Sequence, residues 1–261
     1  MEAVGLKSLD LATLLFGSQL LRSRPLTEKR LLAIAHEMES RAADLSARSL
    51  QINPYRSLND LDRKIEQYLP QLLNGNTFYI EAGANDGINQ SNTMFLEVCY
   101  GARGMLIEPS PSNFEKCVKN RSGRNIVENY ALVASDYSRP YMEFIYSNLM
   151  TVSIESPDVN PAEHARTGLK FFDGINYSFL SKTATLAGLM DKHGIQKVDL
   201  LSLDLEGFEL EALKGASLED GRIKNIVIEA RNILMVSEYL QTYNYKMQGQ
   251  ISCHDYIFCL E

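Results

Sequence analysis

Two spacings of apolar residues divide this chain. Over residues 1–70 they recur three and four positions apart, the period of a helix with one buried face, and almost no run alternates as a strand would. Thr27 is placed to cap a helix over Leu31–Leu45. Asn53-Pro54 interrupts the pattern, and Ser57 with Asp60 resembles a capping box ahead of Leu61, Ile65 and Leu69. From Thr77 the pattern changes to short β-branched and aromatic runs separated by helical stretches, the signature of a parallel sheet covered by helices. Strands are predicted at 77–82, 103–108, 125–131, 198–204 and 224–230, and helices at about 91–100, 111–120, 183–193 and 207–216. A helix over Ile233–Gln241 and a hairpin of Tyr243–Met247 with Tyr256–Leu260 complete seven strands with an antiparallel end. Between the third and fourth core strands, Tyr137–Lys182 departs from the alternation. YMEFIYS and INYSFL read as two more strands around a Ser-, Asn-, Pro- and Gly-containing loop that carries His164. A connection of that length inside a compact domain is usually functional or mobile.

The stretch TFYIEAGANDGINQSNTMF, Thr77 to Phe95, is a strand, a glycine turn and a helix start in succession. Gly83 and Gly87 let the backbone turn sharply, and a helix beginning near Gln90–Asn92 would aim free amides at that turn. The spacing Gly-x-x-x-Gly lacks the Gly-x-Gly-x-x-Gly of a dinucleotide fold, which disfavours a nucleotide-using oxidoreductase. Glu81 would repel a pyrophosphate and attract an ammonium or sulfonium. Glu108 ends the second strand, where nucleoside-binding α/β folds hold both ribose hydroxyls. The expected ligand is a nucleoside that carries positive charge.

Composition narrows the partners. At 261 residues, 45% apolar and 23% charged, the chain fits one α/β domain with additions. A net charge of −7 with no basic stripe argues against nucleic acid. Cys99, Cys117, Cys253 and Cys259 have neither Cys-x-x-Cys spacing nor histidines placed to complete a zinc site, so a reduced, cytoplasmic protein is expected. The run LDLATLLFGSQLL is too short to span a bilayer and reads as an amphipathic helix.

FYIEAGANDG with SNT, GMLIEPSPSNFEKC, NIVENYALVAS, TLAGLMDKHG, VDLLSLDLEGFELEALKGA and IKNIVIEA occur in one order over about residues 77–260. In that order they resemble the FkbM-type, S-adenosylmethionine-dependent methyltransferases. The resemblance implies a Rossmann-like, seven-stranded class I methyltransferase sheet of order 3-2-1-4-5-7-6. Around it would lie an N-terminal helical extension (1–70), a methyltransferase domain (71–261) and an insertion at 139–182. It implies transfer of a methyl group to a hydroxyl of a sugar or small metabolite. An N-methyltransferase and a non-catalytic module of the same fold are the alternatives. The extension is a lid, a homo-oligomer face, or helices that simply complete the core.

On this reading Glu108 holds the ribose, with Pro109, Ser110 and Ala131 near the adenine, and Glu81 meets the ammonium beside the Gly83–Gly87 turn. Asn85, Ser91 and Asn92 donate to the ligand carboxylate. Asp204 and Glu206 close an apolar strand where the sulfonium should sit. Asp204 there orients the acceptor first and acts as a base second, because an ordinary aspartate is a weak base for an alcohol. Glu206 is either functional or a first-turn acid of the next helix. His164 is the candidate mobile base, since an ordinary histidine pKa of ~6.5 suits proton transfer near neutrality; a surface loop histidine is the plainer reading. Tyr146, Asn148 and Tyr177 are candidate acceptor contacts. Glu229 with Asp204 offers two oxygen ligands, but nothing fixes a third, so a divalent metal is not favoured.

Overall fold

The computed structural model describes residues 53–170 and 174–261. The Thr27 cap and the Leu31–Leu45 helix lie outside these residues. The first described helix, α1 (Leu61–Tyr68), is followed by β1 (Phe78–Ala82), α2 (Met94–Tyr100), β2 (Arg103–Ile107), α3 (Pro111–Asn120) and β3 (Ile126–Glu128). After an inserted region come α5 (Leu186–Lys192), β8 (Leu200–Leu203), α6 (Glu209–Lys214), β9 (Asn225–Glu229) and α7 (Ile233–Gln241). The hairpin β10 (Tyr245–Gln250) and β11 (Asp255–Leu260) closes the chain. The insertion itself holds β4 (Ala131–Leu132), β5 (Tyr141–Tyr146), β6 (Val152–Ser153), α4 (Pro161–Gly168) and β7 (Tyr177–Ala184).

The main sheet has seven strands in the order β10-β11-β9-β8-β1-β2-β3. With β4–β7 set aside, that is the expected 3-2-1-4-5-7-6. Strands β1, β2, β3, β8 and β9 run parallel, with Ile80 opposite Met105 and Leu201, while β11 pairs antiparallel with β9. The two faces are separated by alternation along each strand. Ile80, Met105, Leu201, Ile226 and Phe258 pack against α5, α6 and α7, whereas Tyr79, Leu106, Leu200, Val227 and Ile257 pack against α1, α2 and α3. Leu61, Ile65, Leu69 and Leu72 belong to this second core, so α1 and the turn after it are part of the globule. No helix among the described residues is long and apolar enough to cross a membrane.

Two local readings change. The cap expected from Ser57 and Asp60 pairs Ser57 with Asp62 instead. The Asp62 amide donates to Ser57 Oγ at 2.7 Å and the Ser57 amide donates to Asp62 Oδ2 at 2.9 Å, while Asp60 takes a left-handed conformation and makes no side-chain cap. The predicted strand 125–131 is broken after Glu128. Asn129 turns its side-chain amide to the carbonyls of Glu108 and Pro109, and Ala131 begins β4 of a separate four-stranded sheet, β4-β7-β5-β6. The insertion is thus a small sheet with α4 attached, and Ser147 Oγ ties its β5 end to the Ala165 carbonyl at 2.7 Å.

Candidate active site

The carboxyl ends of β1, β2, β8 and β9 meet along one rim. The Gly83 amide donates to the Ile107 carbonyl at 3.0 Å and the Asp204 amide to Ala82 at 3.2 Å, so the three strand exits are held together. Gly83 has φ +83°, and a Cβ there would lie 1.9 Å from the Asp204 carbonyl oxygen. Glycine at this position therefore lets two pieces of backbone close on each other. At Gly87, also at positive φ, an added Cβ would meet Arg121 and Cys117. Above the rim lies a cavity of about 610 Å³, roofed on one side by Phe144 and Asn148–Thr151 of the insertion and reached by Leu58, Asn59 and Leu61. Its size falls within the range of small-molecule sites.

Glu108 is buried and lines this cavity. Its Oε2 accepts from the Asn85 amide at 2.8 Å and its Oε1 from the Ser110 amide at 2.9 Å, which fixes the carboxyl plane. Burial pushes its pKa up to about 8, against the lowering effect of those two amides. Pro109 and Ala131 line the same cavity, Ala131 from the inserted sheet rather than from the end of a third core strand. Ser110 is fully buried beneath, its hydroxyl 3.1 Å from that of Ser112. The Asn85 side chain accepts from Asn113 Nδ2 at 2.6 Å.

Glu81 is placed differently from Glu108. It shares the rim but does not line the cavity. Its carboxylate accepts from the Asn92 amide (2.7 Å), Ser91 Oγ (2.9 Å), Thr93 Oγ1 (2.7 Å) and Arg121 Nη1 (3.2 Å). Arg121 is buried and also meets Glu97 at 2.7 Å and the Tyr79 hydroxyl at 2.7 Å. These contacts fasten the entrance of α2 to β1 and to the end of α3. Ser91 is spent on the same contact. Asn92 differs: its Nδ2 donates to Ser202 at 3.2 Å, while its Oδ1 is buried, has no hydrogen-bond partner and belongs to a cavity-lining residue. Its unused group is an acceptor, which suits a ligand ammonium better than the carboxylate expected from sequence.

On the β8, β9 and β11 side of the rim, Asp204, Glu206, Glu229 and Asp255 all line the cavity, joined by His164, Arg231 and His254. Asp204 is accessible from within the cavity yet surrounded by protein beneath it. Burial, then the nearby carboxylates of Glu229, Glu206, Glu209 and Asp255, hold its carboxyl well above the ordinary aspartate range. Glu229 is raised by the same causes, burial first and Glu206 next. Glu206 lies in the loop before α6 at φ 54°, not in the helix's first turn, a position filled by Glu209 and Glu211. A non-glycine residue at that angle is strained and is held by its surroundings. Here the Ser156 hydroxyl of the insertion donates to the Glu206 carbonyl at 3.1 Å.

His164 sits on α4 rather than in a loop, and it is buried. Asn160 caps this helix by accepting from the Glu163 amide at 3.2 Å, and Pro161 occupies its first turn. Asn-Pro with an acid three residues beyond Asn160 was the overlooked helix-start signal. His164 Nε2 lies 2.8 Å from Glu206 Oε2, close enough for a charge contact though out of line for a hydrogen bond, and Arg231 reaches the same oxygen at 3.1 Å. Of the three aromatic or amide candidates in the insertion, only Asn148 lines the cavity. Tyr146 and Tyr177 stack on each other at 4.7 Å.

Sequence reasoning passed over Glu209, His254 and Asp255. Glu209 is buried, and its Oε1 accepts from the Leu205 and Gly207 amides at 2.7 and 3.1 Å. One oxygen from each of Asp204, Glu209 and Glu229 lies within 4.8 Å of the other two.

The FkbM methyltransferase domain model matches residues 81–247, more than half of the chain. Among solved structures, M. capricolum TrmK in complex with S-adenosylhomocysteine is 11% identical, with a TM-score of 0.38 over 75% of this chain and 66% of that one. This chain thus spans just under two thirds of the TrmK chain. Precorrin-6y C5,15-methyltransferase from Geobacter metallireducens is 13% identical (TM-score 0.38; 74% and 84% covered), and the human methyltransferase 10 domain containing protein is 9% identical (0.42; 84% and 94%). No curated protein matches. The domain match extends from the β1 carboxylate to β10, across every strand exit of the rim, and the chain belongs to the FkbM methyltransferase family of S-adenosylmethionine-dependent enzymes.

Proposed function

We propose that this protein methylates a hydroxyl of a small molecule, such as a sugar or compact metabolite, inside the cavity above β1, β2, β8 and β9. The observation that carries the reading is a division of the cavity into two chemistries. Glu108 and Pro109 follow β2, whereas Asp204 and Glu206 follow β8 on the other side of β1, with His164 against Glu206; all five line the cavity, as does Ala131. The β2 side fits an adenosine. Glu108 presents a fixed carboxyl to a vicinal diol, and Asn92 presents a buried acceptor toward the amino acid portion. When bound, S-adenosylmethionine supplies the methyl group and accepts the sulfur–carbon bonding pair as that bond breaks.

The protein's own residues supply position and proton uptake. Asp204, open to the cavity at the end of β8, orients the acceptor hydroxyl in line with the methyl carbon. His164 takes the hydroxyl proton as the new carbon–oxygen bond forms; Glu206, itself held by Arg231, fixes the imidazole and compensates its charge. Phe144, Leu149, Met150 and Phe208 line the acceptor side with apolar surface and limit water around the reacting atoms. An enclosed site lined by so many carboxylates, in a chain of net charge −7, suits a small neutral acceptor better than a phosphate-rich polymer.

Calorimetry with S-adenosylhomocysteine tests the assignment. The wild-type chain should bind, and Glu108→Ala should weaken binding by about tenfold or more, since a fixed two-oxygen hydrogen-bonding contact is lost. Equal affinity for both would show that the pocket has been assigned to the wrong place. A methyl group recovered on an amine in an acceptor screen would favour N-methylation instead.

A further inference from the structure

We infer that Asp204, Glu209 and Glu229 form a binding site for one hard divalent cation, of the Mg²⁺, Mn²⁺ or Ca²⁺ class, beside the cavity at the exits of β8 and β9. From sequence, Asp204 and Glu229 lacked a third ligand; the fold brings one from the first turn of α6. One oxygen from each of the three carboxylates lies within 4.8 Å of the other two. Oxygens sharing one ion are separated by at most twice the metal–oxygen distance, roughly 4.2 Å for Mg²⁺ and about 4.6–5.2 Å for Ca²⁺. A separation of at most 4.8 Å is compatible with one shared ion of this class.

A second observation, independent of the clustering, points the same way. Glu229 is only 9% exposed, and its Oε2 is buried with no hydrogen-bond partner. A buried carboxylate oxygen without a donor is costly, and a cation beside it removes that cost. The neighbouring cationic side chains do not fill this place. Arg231 is drawn to Glu206 at 3.1 Å, and His254 Nε2 stands 3.5 Å from Glu229 on the Oε1 side. No Lys or Arg pairs with Asp204, Glu209 or Glu229 among the described residues. Glu209 is pre-aimed, because two backbone amides hold its Oε1. With oxygen donors only, the set suits Mg²⁺, Mn²⁺ or Ca²⁺ rather than a thiol-seeking metal.

This inference rests on the methyl-transfer reading only for its purpose. Three protein oxygens leave about three positions of an octahedral ion open. Asp204, Glu229 and His164 line the cavity, so an ion held there would be reached from it. An acceptor with two adjacent oxygens, a vicinal diol or hydroxy-carbonyl, would chelate there, and the ion would make its hydroxyl easier to deprotonate.

The test is titration of the full chain with Mn²⁺, without cofactor, followed by calorimetry and by loss of the free-ion electron paramagnetic resonance signal. One site is expected in the wild type, weakened by about tenfold or more in Asp204→Asn and in Glu229→Gln. Glu211→Gln, on the same helix but half-buried and paired with Lys214 outside the cluster, should bind Mn²⁺ as the wild type does. Melting curves establish that each variant is folded; both active-site changes remove a crowded charge while keeping shape. No Mn²⁺ uptake by the wild type at millimolar concentration, or equal uptake by folded Asp204→Asn and Glu229→Gln, overturns the site. S-Adenosylhomocysteine titration of the same samples separates the two readings. Nucleoside binding without Mn²⁺ binding defeats the ion site alone, and Mn²⁺ binding without nucleoside binding defeats the cofactor pocket alone.

Discussion

Glu81 and Glu108 are both acids at the ends of adjacent parallel strands, yet they meet opposite surroundings. Glu108 keeps one face on the cavity, whereas Glu81 is enclosed by Arg121, Ser91, Thr93 and the Asn92 amide. Removing one partner of a buried, hydrogen-bonded ion pair leaves an uncompensated charge. Arg121→Met should therefore cost roughly 3–5 kcal/mol of stability, read from urea denaturation. Glu81→Gln should also destabilise, but the variant that folds should bind S-adenosylhomocysteine within about tenfold of wild type, since no ligand contact is lost. A larger loss of affinity without loss of stability would return Glu81 to the role first expected of it.

At the scale of elements, helix entrances are decided by side chains near them in space. The Ser57–Asp62 pair satisfies two backbone amides at the start of α1, and this helix supplies Leu61 and Ile65 to the core beneath the cavity. Ser57→Ala should cost about 1 kcal/mol, measured as a shift in the urea midpoint at unchanged slope. The insertion is tied to the active-site loop by Ser156 and carries His164 on a capped helix, so it behaves as a wall of the site. A stretch rich in Ser, Asn, Pro and Gly looked like a loop because its polar residues act as caps and turns around short elements, whose periodicity is too brief to register.

For the whole molecule, the balance of shifted acids sets a pH profile. Burial lifts Glu108 and Glu209 from an ordinary 4.5 to about 8, and it raises Asp204 and Glu229 in the same direction. Between those values the folded chain holds protons that the unfolded chain has released, so stability is full below about pH 4.5 and declines as pH rises toward 8. Glu97 and Glu128 act oppositely. Despite burial, Arg121 holds Glu97 low, and Lys192 with His193 holds Glu128 low, so their contribution is lost as pH falls below 4.5. The ligand-free melting temperature should therefore peak near the ordinary glutamate pKa and fall toward pH 8, with a shallower fall in Glu108→Gln. A melting temperature that climbed through that window would mean these acids are already ionised.

The alternation of apolar runs by itself determined the parallel sheet, its helices and the closing hairpin, because burial on two faces leaves a strong local trace in each strand. The motif ends at Glu108 and Asp204 marked the rim for the same reason: polar residues that terminate buried strands stand out. Which acids line the cavity was decided only in three dimensions. Glu81 is enclosed by Arg121, 40 residues away in sequence, whereas Asn92 keeps a buried acceptor without a partner at a cavity-lining position. Glu209 joined Asp204 and Glu229 because a glycine turn folds the start of α6 back over the strand ends. Local pattern records what a residue buries; the chemistry of a site depends on which distant groups share that space.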